Sequence, residues 1–298
     1  MATRSTSLAE RVPLDRETVN GLLFAAPYLV LFGLFLLYPL LKGLYMSFFQ
    51  WDLLNPGESE FVGLANYATL LNDPQFWTAT VNTFLFVLLT VPVLLVVSLT
   101  VALGLNRRLA GTRLLQFIYF VPYVLTVSIV GVIWLQVYGA NGIFTVFTEP
   151  FIGRVLDSTT LALPALALTT VWWQVGFYFA ILLAARQNVS ERLYEAAKLD
   201  GASRWQMTRD ITLPQMKNAI IFVVIASTIT QFQVFGQPYV MTNGGPVSST
   251  TTMVYYLYSL GFETFDLGYG AAVGYVVLMV LIAVSLINFK VVESSLGE

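Results

Sequence analysis

Six stretches of this 298-residue chain contain no Asp, Glu, Lys or Arg: Thr18–Leu41, Pro74–Asn106, Leu114–Thr148, Ser158–Ala185, Asn218–Phe262 and Leu267–Phe289. A helix needs about 20 apolar residues to cross a hydrocarbon core of about 30 Å. A charge at its centre costs roughly 2.5–3.5 kcal/mol. Each stretch is long enough to span and too long for a buried strand. The expected fold class is an all-α membrane protein with six transmembrane helices, Gly21–Leu41, Val81–Leu105, Leu114–Tyr138, Leu161–Ala185, Asn218–Val240 and Tyr269–Phe289. Composition agrees, with 57% hydrophobic and 11% charged residues, against roughly 45–50% and about 25% in soluble chains.

The cations set the orientation. Arg4, Arg11, Arg16, Arg107, Arg108, Arg113, Arg186, Arg192, Lys198, Arg204, Arg209, Lys217 and Lys290 fall on one side, and only Lys42 and Arg154 on the other. Cytoplasmic loops carry the excess of Lys and Arg, so both termini are expected in the cytoplasm of an inner-membrane, multi-pass protein. The first span is too long for the apolar region of a signal peptide, contains Pro27 and Pro39, and has no small-residue cleavage site after it. It is expected to be an uncleaved signal anchor. The longest outer loop, 50–79, has a turn at Asn55-Pro56-Gly57 and an amphipathic stretch from Leu64 to Leu71.

The fourth loop, 186–217, is the most polar part of the chain. Ser190 is placed to cap a short helix running through Glu191, Leu193, Glu195, Ala196, Ala197 and Leu199. Asp200-Gly201 supplies a turn, since glycine reaches the left-handed conformation that stops a helix. Ser203 starts a second short helix with Trp205, Met207 and Ile211, and Pro214 follows at the next span. Two short helices at a bend predict a rigid knob, in which Ala196 and Ala197 allow close approach and Glu195 offers a charge.

Glu195-Ala196-Ala197, three residues, Gly201, nine residues, Ile211, one residue, then Leu213-Pro214 resembles the EAA loop of ATP-binding-cassette importer permeases. Thr242-Asn243-Gly244-Gly245-Pro246 resembles the external turn of sugar permeases. Pro27-Tyr28, Tyr38-Pro39, Ser47-Phe48 and the run Phe61 to Tyr67 resemble the maltose- and glycerol-phosphate-type (MalF-like) subunits. The similarity covers nearly the whole chain, without the extra N-terminal helices and large external domain of the best-known maltose subunit. The resemblance implies a type I importer permease fold, with a cytoplasmic arm at 1–20, a permease domain at 21–290 that includes the coupling loop at 186–217, and a tail at 291–298. It implies that Glu195, Ala196, Ala197, Asp200, Gly201, Ile211, Leu213 and Pro214 couple the chain to an ATPase. The implied partners are a second permease subunit, two ATPase subunits and an external sugar-binding protein. ATP and Mg would sit on the ATPases, with no cofactor on this chain and no nucleic acid involved.

Transporter sites lie near the bilayer midplane, which falls near Trp172-Trp173-Gln174 on the fourth span and Thr228 to Gln231 on the fifth. Trp173, Gln174 and Phe177 share a helix face, as do Ser227, Thr230, Gln231 and Val234. Aromatic rings stack on a pyranose while amides and hydroxyls bond its hydroxyl groups, so Trp173, Gln174, Phe177, Ser227, Thr230 and Gln231 form the candidate sugar path. The bland alternatives are lipid contact or packing for Trp172 and Trp173, and bonds to their own helix for Ser227 and Thr230. Of two amides that need a partner in hydrocarbon, Gln231 is assigned to the path and Gln233 to packing.

Histidine and cysteine are absent, which removes the commonest metal ligand, general base and thiolate. No span contains a carboxylate. A membrane enzyme lacks a means to activate its serines, and proton coupling lacks its usual groups. An ion-coupled secondary transporter that holds sodium by carbonyls is the remaining alternative. No G-x-x-x-x-G-K-[ST] run is present, so the chain is not expected to be an enzyme and its energy must come from a partner.

Overall fold

The computed structural model describes residues 16–105 and 111–296. Most of the expected N-terminal arm (1–15), Arg107 and Arg108 of the second loop, and the end of the tail (297–298) lie outside the described residues. Helix α1 (Arg16–Phe32) continues through a π-helical turn, Gly33–Leu37, into α2 (Tyr38–Met46). Pro39 has no N–H to give, and the Tyr38 N–H reaches back to the Gly33 carbonyl instead. None of the most apolar window of this span is buried against the rest of the chain.

A short hairpin follows, β1 (Phe49–Gln50) antiparallel to β2 (Glu60–Phe61) with Phe49 opposite Phe61. Its tip is the turn at Pro56–Glu58. Helix α3 (Ala65–Leu71) is the expected amphipathic stretch, buried at Leu70 and exposed at Leu64 and Leu71. Helix α4 (Pro74–Leu105) then runs for 32 residues, about 48 Å at 1.5 Å per residue. Asp73 caps its start by accepting the Gln75 N–H at 2.8 Å. Its other oxygen accepts the hydroxyls of Tyr256 and Tyr269 at 2.5 and 2.6 Å. Partial burial alone would raise the Asp73 pKa, but these hydroxyls and the Gln75 and Phe76 N–H groups outweigh it and hold the carboxyl below its usual 3.8.

The third expected span is not one helix. Helix α5 (Thr112–Val124) ends two residues after Pro122; Leu125 and Thr126 are extended, and α6 (Val127–Tyr138) restarts beyond them. Helix α7 (Ile143–Ile152) leads to α8 (Ala162–Gln187), the central post, with 67% of its most apolar window buried. Helix α8 packs against α4 and α5, and its cluster includes Leu94, Ala102, Val171, Val175, Phe179 and Leu182. The close approach of α5 depends on Gly176. A Cβ there would lie 2.2 Å from the Tyr119 carbonyl oxygen and 2.7 Å from the Phe120 Cα.

The polar loop contains α9 (Glu191–Leu199), α10 (Arg204–Gln206), a π-helical turn at Met207–Thr212 and α11 (Leu213–Gln215). It turns by 66° into α12 (Lys217–Phe232). The fifth expected span, Asn218–Val240, is therefore shorter as a helix than its apolar run. It stops at Phe232, passes through non-helical Gln233–Phe235, and resumes at Gly236 as a short helical turn that is π-helical over Pro238–Thr242. Pro238 has no N–H to return to Val234 four residues back, and the carbonyl so freed accepts the Thr252 hydroxyl at 2.8 Å. Helices α13 (Met253–Phe262) and α14 (Leu267–Leu296) complete the chain. Among the described residues five helices are long and apolar enough to span, or six with the bent α10–α12 unit counted as one.

Candidate functional site

Two of the places that combine polar chemistry with unusual backbone hold the residues expected to act. The first is the knob formed by the fourth loop. Helix α9 is closed by Gly201 at φ +76°, with Gly201 N–H bonded to the Lys198 carbonyl at 3.1 Å and Ala202 N–H to the Ala197 carbonyl at 2.9 Å. This paired closure satisfies the carbonyls that a helix end leaves free. No other atom lies within 4 Å of a Cβ at Gly201, so the need for glycine there is purely conformational. Ser190 occupies the N-cap position of α9, but its side chain makes no capping bond. Ser203 does cap α10: the Gln206 N–H bonds its hydroxyl at 3.3 Å, and the Ser203 N–H bonds the Gln206 side chain at 2.7 Å.

On this scaffold Glu195, Ala196, Asp200, Gly201 and Pro214 are exposed, while Ala197, Ile211 and Leu213 are half-buried. The α9 face that carries Tyr194 and Ala197 turns inward, and the Glu195–Ala196–Leu199 side turns outward. Leu199 is 89% and Trp205 70% exposed, an apolar pair on the most polar loop of the chain. Sequence reasoning placed both on short helices without recognising them as outward anchors. A leucine and a tryptophan in a charge-rich loop, on the side opposite Tyr194, is the signal that would have found them. A cleft of about 890 Å³ runs beneath α9, lined by Leu103, Arg186, Tyr194, Glu195, Arg204 and Thr212 among others.

The second place is where the two helix breaks meet. Val127, the first residue of α6, fills the space where a side chain on Gly236 would go, and Val240 lies against Gly131. Trp173 on α8 donates its indole N–H to the Leu125 carbonyl at 3.1 Å, which satisfies the broken third span. Phe177 stacks on Tyr123 at 4.8 Å and 18°. Gln174 and Gln231 are both buried, and the Gln231 amide donates to the Gln174 side-chain oxygen at 2.7 Å. Nearby, Gln237 donates to Thr170 at 3.0 Å. Ser227 is buried and bonds the Val223 carbonyl of its own helix at 2.6 Å, and Thr230 bonds Ala226 at 2.8 Å with its side chain exposed. The structure thus gathers Trp173, Gln174 and Phe177 on α8 with Gln231 on α12, and keeps Ser227 within its helix. Of the two amides first considered, Gln233 is the exposed one and Gln231 the buried one. Among the described residues no three His, Cys, Asp or Glu side chains form a metal-holding group.

The fold is that of a helical, multi-spanning membrane protein, with discontinuous spans meeting inside it and a polar knob between two of them. Residues 62–296 match the family of binding-protein-dependent transport system inner membrane components, and the chain belongs to that family. It is a multi-spanning inner-membrane protein and the permease component, distinct from the subunit that hydrolyses ATP. The chain is 36% identical over 285 residues to the arabinooligosaccharides transport system permease protein AraP of Bacillus subtilis, covering 93% of this chain and 89% of the relative. It is 34% identical to the sulfoquinovosyl glycerol transport system permease protein SmoG of Agrobacterium fabrum, over 93% and 92% of the two chains. With the lactose transport system permease protein LacF of Rhizobium radiobacter it shares 32% identity over 97% and 98%. Its fold is similar to that of a chain in the crystal structure of a bacterial alginate ABC transporter in complex with alginate pentasaccharide-bound periplasmic protein. The TM-score is 0.79, at 24% identity over 94% of this chain and 96% of the other.

Proposed function

We propose that this chain is one of two pore-forming subunits of an ATP-binding-cassette importer that carries a sugar or glycoside from an external binding protein into the cytoplasm. The observation that carries the reading is the knob. It is rigid by its own hydrogen bonds and displays Glu195, Leu199 and Trp205 outward. The printed names of its relatives (arabinooligosaccharides, lactose, sulfoquinovosyl glycerol) support a carbohydrate cargo. The absence of Lys and Arg from the apolar stretches argues against a phosphorylated one. The Phe61 to Tyr67 run favours the MalF-like subtype.

In this reading the knob faces the cytoplasm with both termini, as the cation asymmetry requires. A second permease faces this one, and each knob sits on one of two ATPase subunits, where ATP and Mg are bound. Closure of the ATPases on ATP draws the knobs together and opens the space between the permeases outward, and hydrolysis returns it inward. Residues 186–217 form the coupling loop within a permease domain of 21–290. Glu195, Ala196, Ala197, Asp200, Gly201, Ile211, Leu213 and Pro214 shape or present its contact. Trp173, Gln174, Phe177, Ser227, Thr230 and Gln231 flank the sugar path at the two breaks.

The test is affinity purification of the tagged chain from native membranes in mild detergent, with co-purifying proteins identified by mass spectrometry. A P-loop ATPase and a second six-span permease are expected. Recovery of the chain alone, from detergent that keeps a known importer intact, would overturn the reading.

A further inference from the structure

Tyr194, immediately before Glu195, joins three elements that are otherwise separate in the chain. Its hydroxyl lies 2.8 Å from the Thr212 hydroxyl. The Thr212 hydroxyl in turn bonds the Met207 carbonyl at 3.2 Å. A carbonyl only accepts, so the Thr212 proton points to Met207 and Tyr194 is the donor to Thr212. On its other side the Arg186 guanidinium, in the last turn of α8, sits 4.5 Å from the centre of the Tyr194 ring, within the range of a cation–π contact. Thr212 is 2% exposed and ends the π-helical turn that leads through α11 into α12. Tyr194 and Ile211 pack on the cluster that contains Val189, Met216 and Val223. One side chain on α9 therefore sits against the end of α8 and bonds the π-helical turn that leads through α11 into α12, and α8 and α12 carry Gln174 and Gln231.

We propose that Tyr194 is the positioning residue that makes α9 and the knob-side ends of α8 and α12 move as one body, so that displacement of the knob reaches the helix breaks. This rests on the coupling reading of the loop. The competing account of the same contacts is local packing, in which Tyr194 only stabilises the loop. The two differ in what happens when the ring stays and the hydroxyl goes. Packing predicts little change for Tyr194→Phe, whereas a strut predicts that α9 slips against α12.

The chain contains no cysteine, so it can be labelled at paired introduced cysteines before it is combined with its partner subunits. Exposed Arg192 on α9 and Asn218 on α12 are replaced by Cys and spin-labelled in the full assembly with its ATPases. Distances are then measured nucleotide-free and after trapping with MgADP and vanadate. In the otherwise unaltered chain the α9–α12 distance is expected to be the same in both states. In Tyr194→Phe and in Thr212→Val it is expected to differ between states, and the double variant should diverge no further than either single one. A second pair, Arg192→Cys with Glu263→Cys on the opposite face, reports whether α9 moves at all. No movement there overturns the coupling reading and the strut with it. Movement of α9 with an unchanged α9–α12 distance in both single variants, or a changed one in the unaltered chain, overturns the strut alone.

Discussion

The knob and the helix breaks face the same problem and solve it in opposite ways. Both contain backbone that has left regular helix, and in both the freed N–H and C=O groups must find partners. The knob closes itself with neighbours. Ala202 bonds Ala197, Gly201 bonds Lys198, and Ser203 and Gln206 bond one another. The breaks are closed from far along the chain. Trp173 reaches Leu125 across 48 residues, and Thr252 reaches Val234 across 18. Asn82 on α4 holds the carbonyls of Ser248 and Thr251. In water a short-range cap is enough, whereas inside the membrane every freed group must be met by protein that packing brings into place.

That contrast can be broken or sharpened by substitution, and the remote side should be the more fragile. Gly176→Ala is the severest change, because the new Cβ meets backbone of α5 rather than a side-chain end that can swing away. A loss of about 3 kcal/mol is expected, seen as a lower melting temperature of the purified protein in detergent. A wild-type melt would mean that the breaks do not depend on the α5–α8 approach. Trp173→Phe strands the Leu125 carbonyl, and Gln231→Leu strands the Gln174 amide, each at roughly 1–3 kcal/mol. Gln174→Leu with Gln231→Leu should recover most of the loss, while additive losses would show that the two amides do not act as a pair.

The knob should respond locally. Gly201→Ala forces an L-residue into the left-handed region at about 1–2 kcal/mol. That cost should appear as faster amide exchange at the substituted position and at Ala202 with the global melt unchanged. A global loss would make the knob part of the cooperative membrane unit. The smallest effect belongs to Asp73, whose pKa is held below 3.8 by the hydroxyls and N–H groups around it. A carboxyl with a lowered folded pKa favours the folded state above 3.8, and that contribution disappears as pH falls through the folded value. Melting temperature should therefore fall more steeply below pH 3.8 in the parent than in Asp73→Asn.

The same contrast explains what could be read in advance. Spans show themselves through the absence of charge, and the knob through Gly201, Ser203 and the Glu195-Ala196-Ala197 spacing, because each is a local signal. The end of α12 was hidden, since the charge-free run continues past Phe232 to Phe262 and the partner of Val234 lies on the loop before α13. The break at Leu125-Thr126 was hidden for the same reason, even though Pro122 marks the neighbourhood. Gln231 and Gln233 have similar sequence surroundings and differ only in direction. The first bonds Gln174 on α8 and the second is exposed just past the end of α12, which no spacing rule distinguishes once the helix stops.

The depth of α8 has a consequence for the order in which the protein is made. Its polar groups face inward, so this span depends on other helices for partners more than on lipid. Helices α4 and α5 precede it in the chain, so Ser98 can already reach the Val175 carbonyl, and Leu125 can already receive Trp173. The partner of Gln174, however, lies 57 residues later. Until α12 is made, Gln174 lacks the partner that the finished protein gives it, so α8 is completed by a helix that follows it in the chain.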